Sequence, residues 1–378
     1  VVRQHPGRGH VGGDDGIAVA YALAILDDDS LSHPRLEFVC TVCEEVGMEG
    51  ATGIDVSMLK GKKLLNMDSE EEGVMLASCA GGCRADVKLP VERETVNGTK
   101  LTVSLSGLTG GHSGSEIDKG RGNANTLMSR LLRDASAPVA IASIDGGRKD
   151  NAIPRECTAQ IIAAPDQAEA VKASIEQAAA EIAEEFKASD PDLKLTVSEE
   201  TDCSEPAISA KDSARVIALI EALPNGIIRM SREIDKLVET SLNLGVLKSD
   251  DTAVTLRYAV RSSVGVAKKS LKNQLVCIAG AFAAEVTFEG DYPAWEYKKD
   301  SKLREDMVRI FEEMYGKKPT VEAIHAGVEC GLLSGKIEGL DCISMGPDMY
   351  DIHTTEERLS ISSAKRSYEY ILRVIACK

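Results

Sequence analysis

Thr41-Val42-Cys43-Glu44-Glu45-Val46-Gly47-Met48-Glu49-Gly50 sets two adjacent carboxylates just after an apolar run over residues 36–42. Bounded by His33-Pro34 on one side and by glycines on the other, the run reads as a buried strand whose end delivers Glu44 and Glu45 to the rim of a sheet. Neighbouring side chains on an extended segment point to opposite sides. One glutamate can therefore hold a metal while the other faces a water or substrate beside it.

The chain around this stretch has 378 residues, 43% of them hydrophobic, enough to bury a sizeable core in two domains. No apolar run has the length of a membrane span and no signal-peptide pattern opens the sequence, so a soluble cytoplasmic protein is expected. The ten cysteines are sparse and several, such as Cys40, Cys277 and Cys342, sit in apolar contexts. They read as free buried thiols rather than a disulfide framework. A net charge of −16 with no basic cluster argues against nucleic acid as a partner.

Two further junctions present acids. Asp14 and Asp15 precede the helical run 17–26, with Asp15 in the N-cap position, and capping alone accounts for the pair unless other carboxylates join it. After a short helical segment expected near 55–60, an apolar strand over 63–67 ends on Asp68. Ligands collect at the carboxyl ends of strands in α/β sheets, which makes convergence of Asp14, Glu45 and Asp68 reasonable.

From residue 87 the texture changes to alternating strands, including 100–106. Helices are expected over 123–133, over 168–186 (amphipathic, rich in Ala and Glu) and near 271–284, with strands over 238–247 and 252–261. This reads as an inserted α+β domain over 87–289, flanked by 1–86 and 290–378 as the two parts of one α/β domain. The last part carries a helix over 302–315, a strand over 341–345, the Gly346-Pro347 loop running to His353, and a closing helix over 364–376. Together Asp14, Glu44, Glu45, Asp68 and His353 offer the oxygen and imidazole ligands of a zinc-type hydrolytic centre, with a spare glutamate as base.

Several longer strings occur in order. They are Gly13-Asp14-Asp15-Gly16-Ile17, the Thr41 stretch, Asn66-Met67-Asp68-Ser69-Glu70-Glu71-Glu72-Gly73, Gly110-Gly111-His112-Ser113-Gly114 and Asn151-Ala152-Ile153-Pro154-Arg155-Glu156. Glu239-Thr240-Ser241-Leu242-Asn243, residues 324–331 and the loop to His353 complete the set. On these the chain resembles, over nearly its whole length, the aminoacyl-histidine dipeptidase branch of the co-catalytic metallopeptidases that also include carboxypeptidase G and the aminoacylases. The resemblance implies a mixed-sheet α/β/α catalytic domain with an inserted α+β lid domain, a homodimer formed through that lid, and two divalent metal ions, zinc first, with manganese or cobalt as alternatives.

Position by position, the resemblance makes Asp14 the carboxylate shared by the metals, followed by a cis bond to Asp15. It makes Glu45 and His353 ligands of one metal, Asp68 a ligand of the other, and Glu44 the general base. His112 resembles the histidine that stabilises the oxyanion, often in a partner subunit. Asn151 and Arg261 resemble groups that hold the substrate, and Gly327 and Glu329 lie in a segment that lines its site. Structural alternatives stand beside these: His112 between glycines can shape a turn, Asn151 can be a turn former, Arg261 can be a surface arginine, and His325 reads as a packed residue.

The sequence departs from the family at its start. The family's first ligand is a histidine in a His-x-Asp motif, whereas His5 is followed by Pro6-Gly7 and His10 by Val11-Gly12. The second metal is thus expected to lack its imidazole, and the chain is expected to be a fragment of a longer product rather than a natural short homologue. Hydrolysis of Xaa-His or a broader set of dipeptides is the expected activity. An aminoacylase-like amidohydrolase, or an impaired homologue that binds or dimerises, are the alternatives.

Overall fold

The computed structural model describes residues 2–3, 13–44 and 47–377. The chain divides into two compact units, one made of residues 1–80 and 293–378, the other of residues 81–292.

The first unit is α/β. Its four-stranded sheet has the order Thr320–Ile324, Val74–Cys79, Asp341–Ser344, Lys63–Asn66. The outer pairs are parallel, and the central pair meets antiparallel where Ser344 lies opposite Leu76. The two-residue period of a strand sends Met75, Ala77 and Ile343 to one face. There they pack with Tyr21, Ile25, Met307, Phe311 and Tyr370 of helices Gly13–Leu26, Lys302–Tyr315 and Ile361–Ile375. Leu76 and Cys342 face the other way, against Trp295, Val328 and Cys330 at the helix Glu329–Lys336. A sheet covered on both faces explains the near-continuous apolar reading of its strands.

Several polar groups in this core are paired. The Tyr21 hydroxyl donates to the Ala364 carbonyl at 2.6 Å and the Tyr370 hydroxyl to that of Met307 at 2.7 Å. Ser301 and Ser360 cap the two long helices by accepting the Arg304 and Ser363 amides. The buried Asp341 carboxylate accepts from the Ser301 hydroxyl at 2.6 Å and the Leu303 amide at 3.0 Å, tying a central strand to a helix start.

The inserted unit is a nine-stranded antiparallel sheet backed by helices Ala124–Arg133, Ala168–Phe186, Ala210–Ala222 and Gly265–Ala281. Its largest buried cluster takes in residues from Cys83 to Ala284, with smaller clusters beside it. The strand Val238–Ser249 lies inside it and is buried along most of its length, pairing Ser241 with Arg261 of the strand Ala253–Ser262.

Three expectations are corrected. Residues 34–43 form no strand and are largely exposed, with Val42 at 69%; among the described residues no strand pairs with the apolar run, which is irregular chain. Cys40 and Cys277 are exposed, whereas Cys342 is buried as expected. The short helix lies at Glu49–Gly53, and 55–60 is turn and irregular backbone. By contrast the helices Ala168–Phe186 and Lys302–Tyr315 run between the residues their periodicity marked.

Gly346 sits where the strand Asp341–Ser344 leaves the sheet, and a Cβ there would overlap the Ser69 carbonyl oxygen. Gly346→Ala is expected to cost about 1–3 kcal/mol, because backbone rather than a flexible side chain must yield. Denaturant unfolding of the intact chain checks this.

Candidate active site

The helix Gly13–Leu26 begins irregularly: Asp14 and Asp15 lie outside helical φ/ψ and the bond between them is cis, as the family resemblance implies. A carboxylate from the far end of the chain holds this start. The Glu357 Oε1 accepts the Gly13 amide at 2.8 Å and the Asp14 amide at 3.3 Å, with Glu357 only 2% exposed. The same loop brings in His353, whose Nε2 lies 3.4 Å from the Asp14 Oδ2, the imidazole 59% exposed and the carboxylate largely covered.

His353 and Asp351 both have left-handed backbones, at φ 61° and 53°. Non-glycine residues visit that region only when neighbours enforce it. Here the Thr354 hydroxyl donates to the Asp351 carbonyl at 2.6 Å and accepts the Glu356 amide at 3.2 Å, and Arg358 pairs with the Asp351 carboxylate. The turn closes the antiparallel pair of strands Met349–Tyr350 and Arg358–Leu359, and that pairing with these bonds places His353.

Asp15 receives a backbone hydrogen bond from Ala18, the capping role read from the sequence. Its carboxyl is nonetheless pushed up to about 8, first by burial and then by the charges of Asp68 and Asp14, with Glu329 adding a smaller push. Its Oδ1 is buried without a hydrogen-bond partner among the described residues. Asp14, Asp68 and Glu329 thus concentrate negative potential around one buried acid. Carboxylate and imidazole donors in such a field suit a divalent cation in chemistry. Among the described residues, no group of three or more His, Cys, Asp or Glu side chains is arranged to hold one. Glu45, the expected further ligand, lies outside the described residues.

The Thr41 stretch joins this region through Glu329. The Thr41 hydroxyl reaches both Glu329 carboxylate oxygens, at 2.7 and 2.8 Å, at the first turn of the helix Glu329–Lys336. Gly327 lies in the connection just before that helix. Glu44 is half-buried in a tight loop: its carbonyl accepts the Gly47 and Met48 amides at 3.0 and 2.9 Å, and the Val42 carbonyl accepts that of Gly50 at 2.9 Å. Cys43 and Met48 have φ of 58° and 57°, so turns rather than a strand end present Glu44.

The inserted unit carries a second group of side chains. His112 pairs with Ala152 in a two-residue ladder. Its Nδ1 accepts the Gly114 and Ser115 amides at 3.3 and 3.1 Å. An Nδ1 that accepts leaves the proton of a neutral ring on Nε2. Burial, and then the Arg261 charge, lower the His112 pKa, against a smaller opposing effect of Glu116. His112 is therefore a neutral Nε2–H donor. Glu116 accepts the His112 amide at 2.8 Å and pairs with Arg121, which reaches the Gly110 carbonyl, so the glycine turn is locked.

Arg261 donates to the Tyr292 hydroxyl at 3.4 Å, and its Nε is buried without a hydrogen-bond partner among the described residues. The exposed Asn151 sits in a loop whose shape Asn243 fixes. The buried Asn243 amide donates to the Asp150 and Ala152 carbonyls at 3.0 and 2.9 Å, and Asn123 donates to its Oδ1 at 3.1 Å. His325 is buried, as the packed reading has it.

Sequence reasoning missed Thr41, Asn243 and Glu357 as positioning residues. Asn243 and Thr41 lie within strings already singled out. Nothing local separates Glu357 from Glu356 beside it.

Residues 103–190 match the family description Peptidase dimerisation domain. The chain is 35% identical over 357 residues to the cytosol non-specific dipeptidase of Escherichia coli (strain K12), spanning 93% of this chain and 73% of that protein. Its structure matches that of aminoacylhistidine dipeptidase from Vibrio alginolyticus with a TM-score of 0.90 and 30% identity, covering 99% of this chain and 82% of that one.

Glu357→Ala removes the acceptor of two backbone amides. It is expected to destabilise the first unit by about 1–3 kcal/mol, read by denaturant unfolding, and to raise amide hydrogen exchange at Gly13 and Asp14.

Proposed function

We propose a function from one premise: the chain belongs to the metallopeptidase family that includes cytosol non-specific dipeptidase and aminoacylhistidine dipeptidase. On this reading it hydrolyses dipeptides, Xaa-His or a broader set, using divalent metal. The observation that carries the reading is the approach of His353 to Asp14 at 3.4 Å, two donors from opposite ends of the chain beside the field of Asp68 and Glu329.

Asp14, Glu45 and His353 would hold one ion and Asp14 with Asp68 a second. Zinc is the first choice, and manganese or cobalt suit the same donors. Such ions, when bound, supply Lewis acidity to the scissile carbonyl and acidify a water. Glu44 takes the proton of the attacking water and hands it to the leaving amine, so a C–O bond replaces the C–N bond and a carboxylate and an amine are released. His112 offers its Nε2–H to the developing oxyanion, a role its tautomer supports. Arg261 takes the substrate carboxylate, which its Nε, without a hydrogen-bond partner among the described residues, supports. Asn151 holds the backbone of the substrate, while Gly327 and Glu329 line its path.

The dimerisation match over 103–190 supports a homodimer formed through the inserted domain, and His112 falls within that stretch. All ten cysteines are free, which supports a reducing compartment such as the cytoplasm.

The test is hydrolysis of Xaa-His dipeptides by the purified chain supplied with zinc, manganese or cobalt, against N-acetyl amino acids as controls. Glu44→Gln is expected to lower dipeptide turnover by on the order of 10²–10⁴-fold with metal content unchanged by elemental analysis. Full turnover in that variant would remove Glu44 from the mechanism, and cleavage of N-acetyl amino acids alone would replace the substrate class.

A further inference from the structure

Three neighbouring strands of the inserted unit bring Arg261, Gly82 and Tyr292 side by side. Arg261 of the strand Ala253–Ser262 lies opposite Gly82 of the strand Gly81–Pro90, and Gly82 lies opposite Tyr292 of the strand Glu285–Tyr292. The middle position has no side chain, so the outer two meet across it, and the Arg261 Nη1 donates to the Tyr292 hydroxyl at 3.4 Å. A Cβ on Gly82 would stand 2.6 Å from that hydroxyl oxygen and 2.8 Å from the ring carbon that bears it. The phenol thus lies against the glycine, a close approach that only this residue allows.

A register shift puts the tyrosine there. Glu289 faces Arg84 and Tyr292 faces Gly82, so the outer strand carries one extra residue, and Gly290 takes a left-handed φ of 58° within the irregularity. An unbroken register would set Asp291 opposite Gly82 instead; bulges of this kind re-aim a side chain. The buried Lys268 holds the irregular stretch. Its Nζ reaches the Asp291 carboxylate at 2.6 Å, the Tyr292 carbonyl, and the Gly82 carbonyl at 3.5 Å. One cation therefore fastens both strands from which the contact is built.

We propose that Tyr292 is a positioning residue, whose hydroxyl holds the Arg261 guanidinium across Gly82 and so makes the site selective for a free substrate carboxylate over a neutral carboxamide. The inference rests on the proposed role of Arg261. A guanidinium grips a carboxylate through two parallel N–H bonds, which requires its plane to be fixed. A long side chain left to itself samples many rotamers. The tyrosine removes that freedom before the substrate arrives.

The experiment compares L-alanyl-L-histidine with its C-terminal amide as substrates of the full chain supplied with zinc. Tyr292→Phe is expected to lower the ratio of kcat/KM for the acid over the amide about tenfold, the scale of one hydrogen bond to a charged group. The loss falls on KM for the acid, as the removal of a binding contact does. Gly82→Ala keeps the hydroxyl, but its Cβ displaces the phenol, and it is expected to lower the same ratio. A crystal structure of the Tyr292→Phe variant is expected to show the Arg261 guanidinium displaced or spread over several conformers.

A ratio that Tyr292→Phe leaves intact while Arg261→Ala lowers it overturns the inference and spares the proposed function. Equal losses on acid and amide make the tyrosine a structural residue and also overturn it. A ratio that Arg261→Ala leaves intact overturns the carboxylate role of Arg261, and the inference with it. In a chain without turnover the proposed function fails, and the crystal structure decides: an unmoved guanidinium overturns the inference and a displaced one supports it.

Discussion

A single carboxylate fastens the two ends of the first unit where its chemistry gathers. The Glu357 side chain accepts the amides of Gly13 and Asp14, and so fixes the irregular entry to the helix Gly13–Leu26 against the turn that carries His353. A buried carboxylate that accepts two backbone N–H groups is held in one place by those bonds. The Asp14 and His353 pair rests on that bond together with the pairing of strands Met349–Tyr350 and Arg358–Leu359, between which the His353 turn is closed.

The inserted unit solves its positioning problem by other means. His112, Asn151 and Arg261 stand on short ladders and a long buried strand, and each is steadied by a polar neighbour: Glu116 with Arg121 for the histidine turn, Asn243 for the Asn151 loop, Tyr292 for the guanidinium. Lys268 extends this order. Its buried ammonium reaches Asp291 and the Tyr292 carbonyl, holding the residue that touches Arg261. Preorganised donors of this kind need little rearrangement when charge develops beside them.

Legibility in the sequence followed the physical strength of the pattern. The helices Ala168–Phe186 and Lys302–Tyr315 were readable to their ends because an amphipathic period repeats over several turns. The run 36–42 was misread because a short apolar stretch does not by itself distinguish a strand from irregular chain. Cys40 and Cys277 went astray for the same reason, apolar neighbours in sequence being no guarantee of burial. The carboxylates Asp14 and Asp68 and the imidazole of His353 were singled out as candidates because residue type announces their chemistry. Glu357 was not, since its importance lies in two backbone amides at the other end of the chain, and no local signal encodes a partner so remote. The tautomer of His112 was equally hidden, being set by the amides of Gly114 and Ser115 once the turn is folded.

Gly82 and Tyr292, at the two ends of the inserted unit, sit opposite each other on adjacent antiparallel strands. A segment whose first and last residues are neighbours costs its host only the closure of a short gap when it is gained or lost. The inserted unit thus has the geometry of a transferable cassette: a lineage could acquire it in one recombination event, and its core, which closes on itself, would fold the same way in a different host.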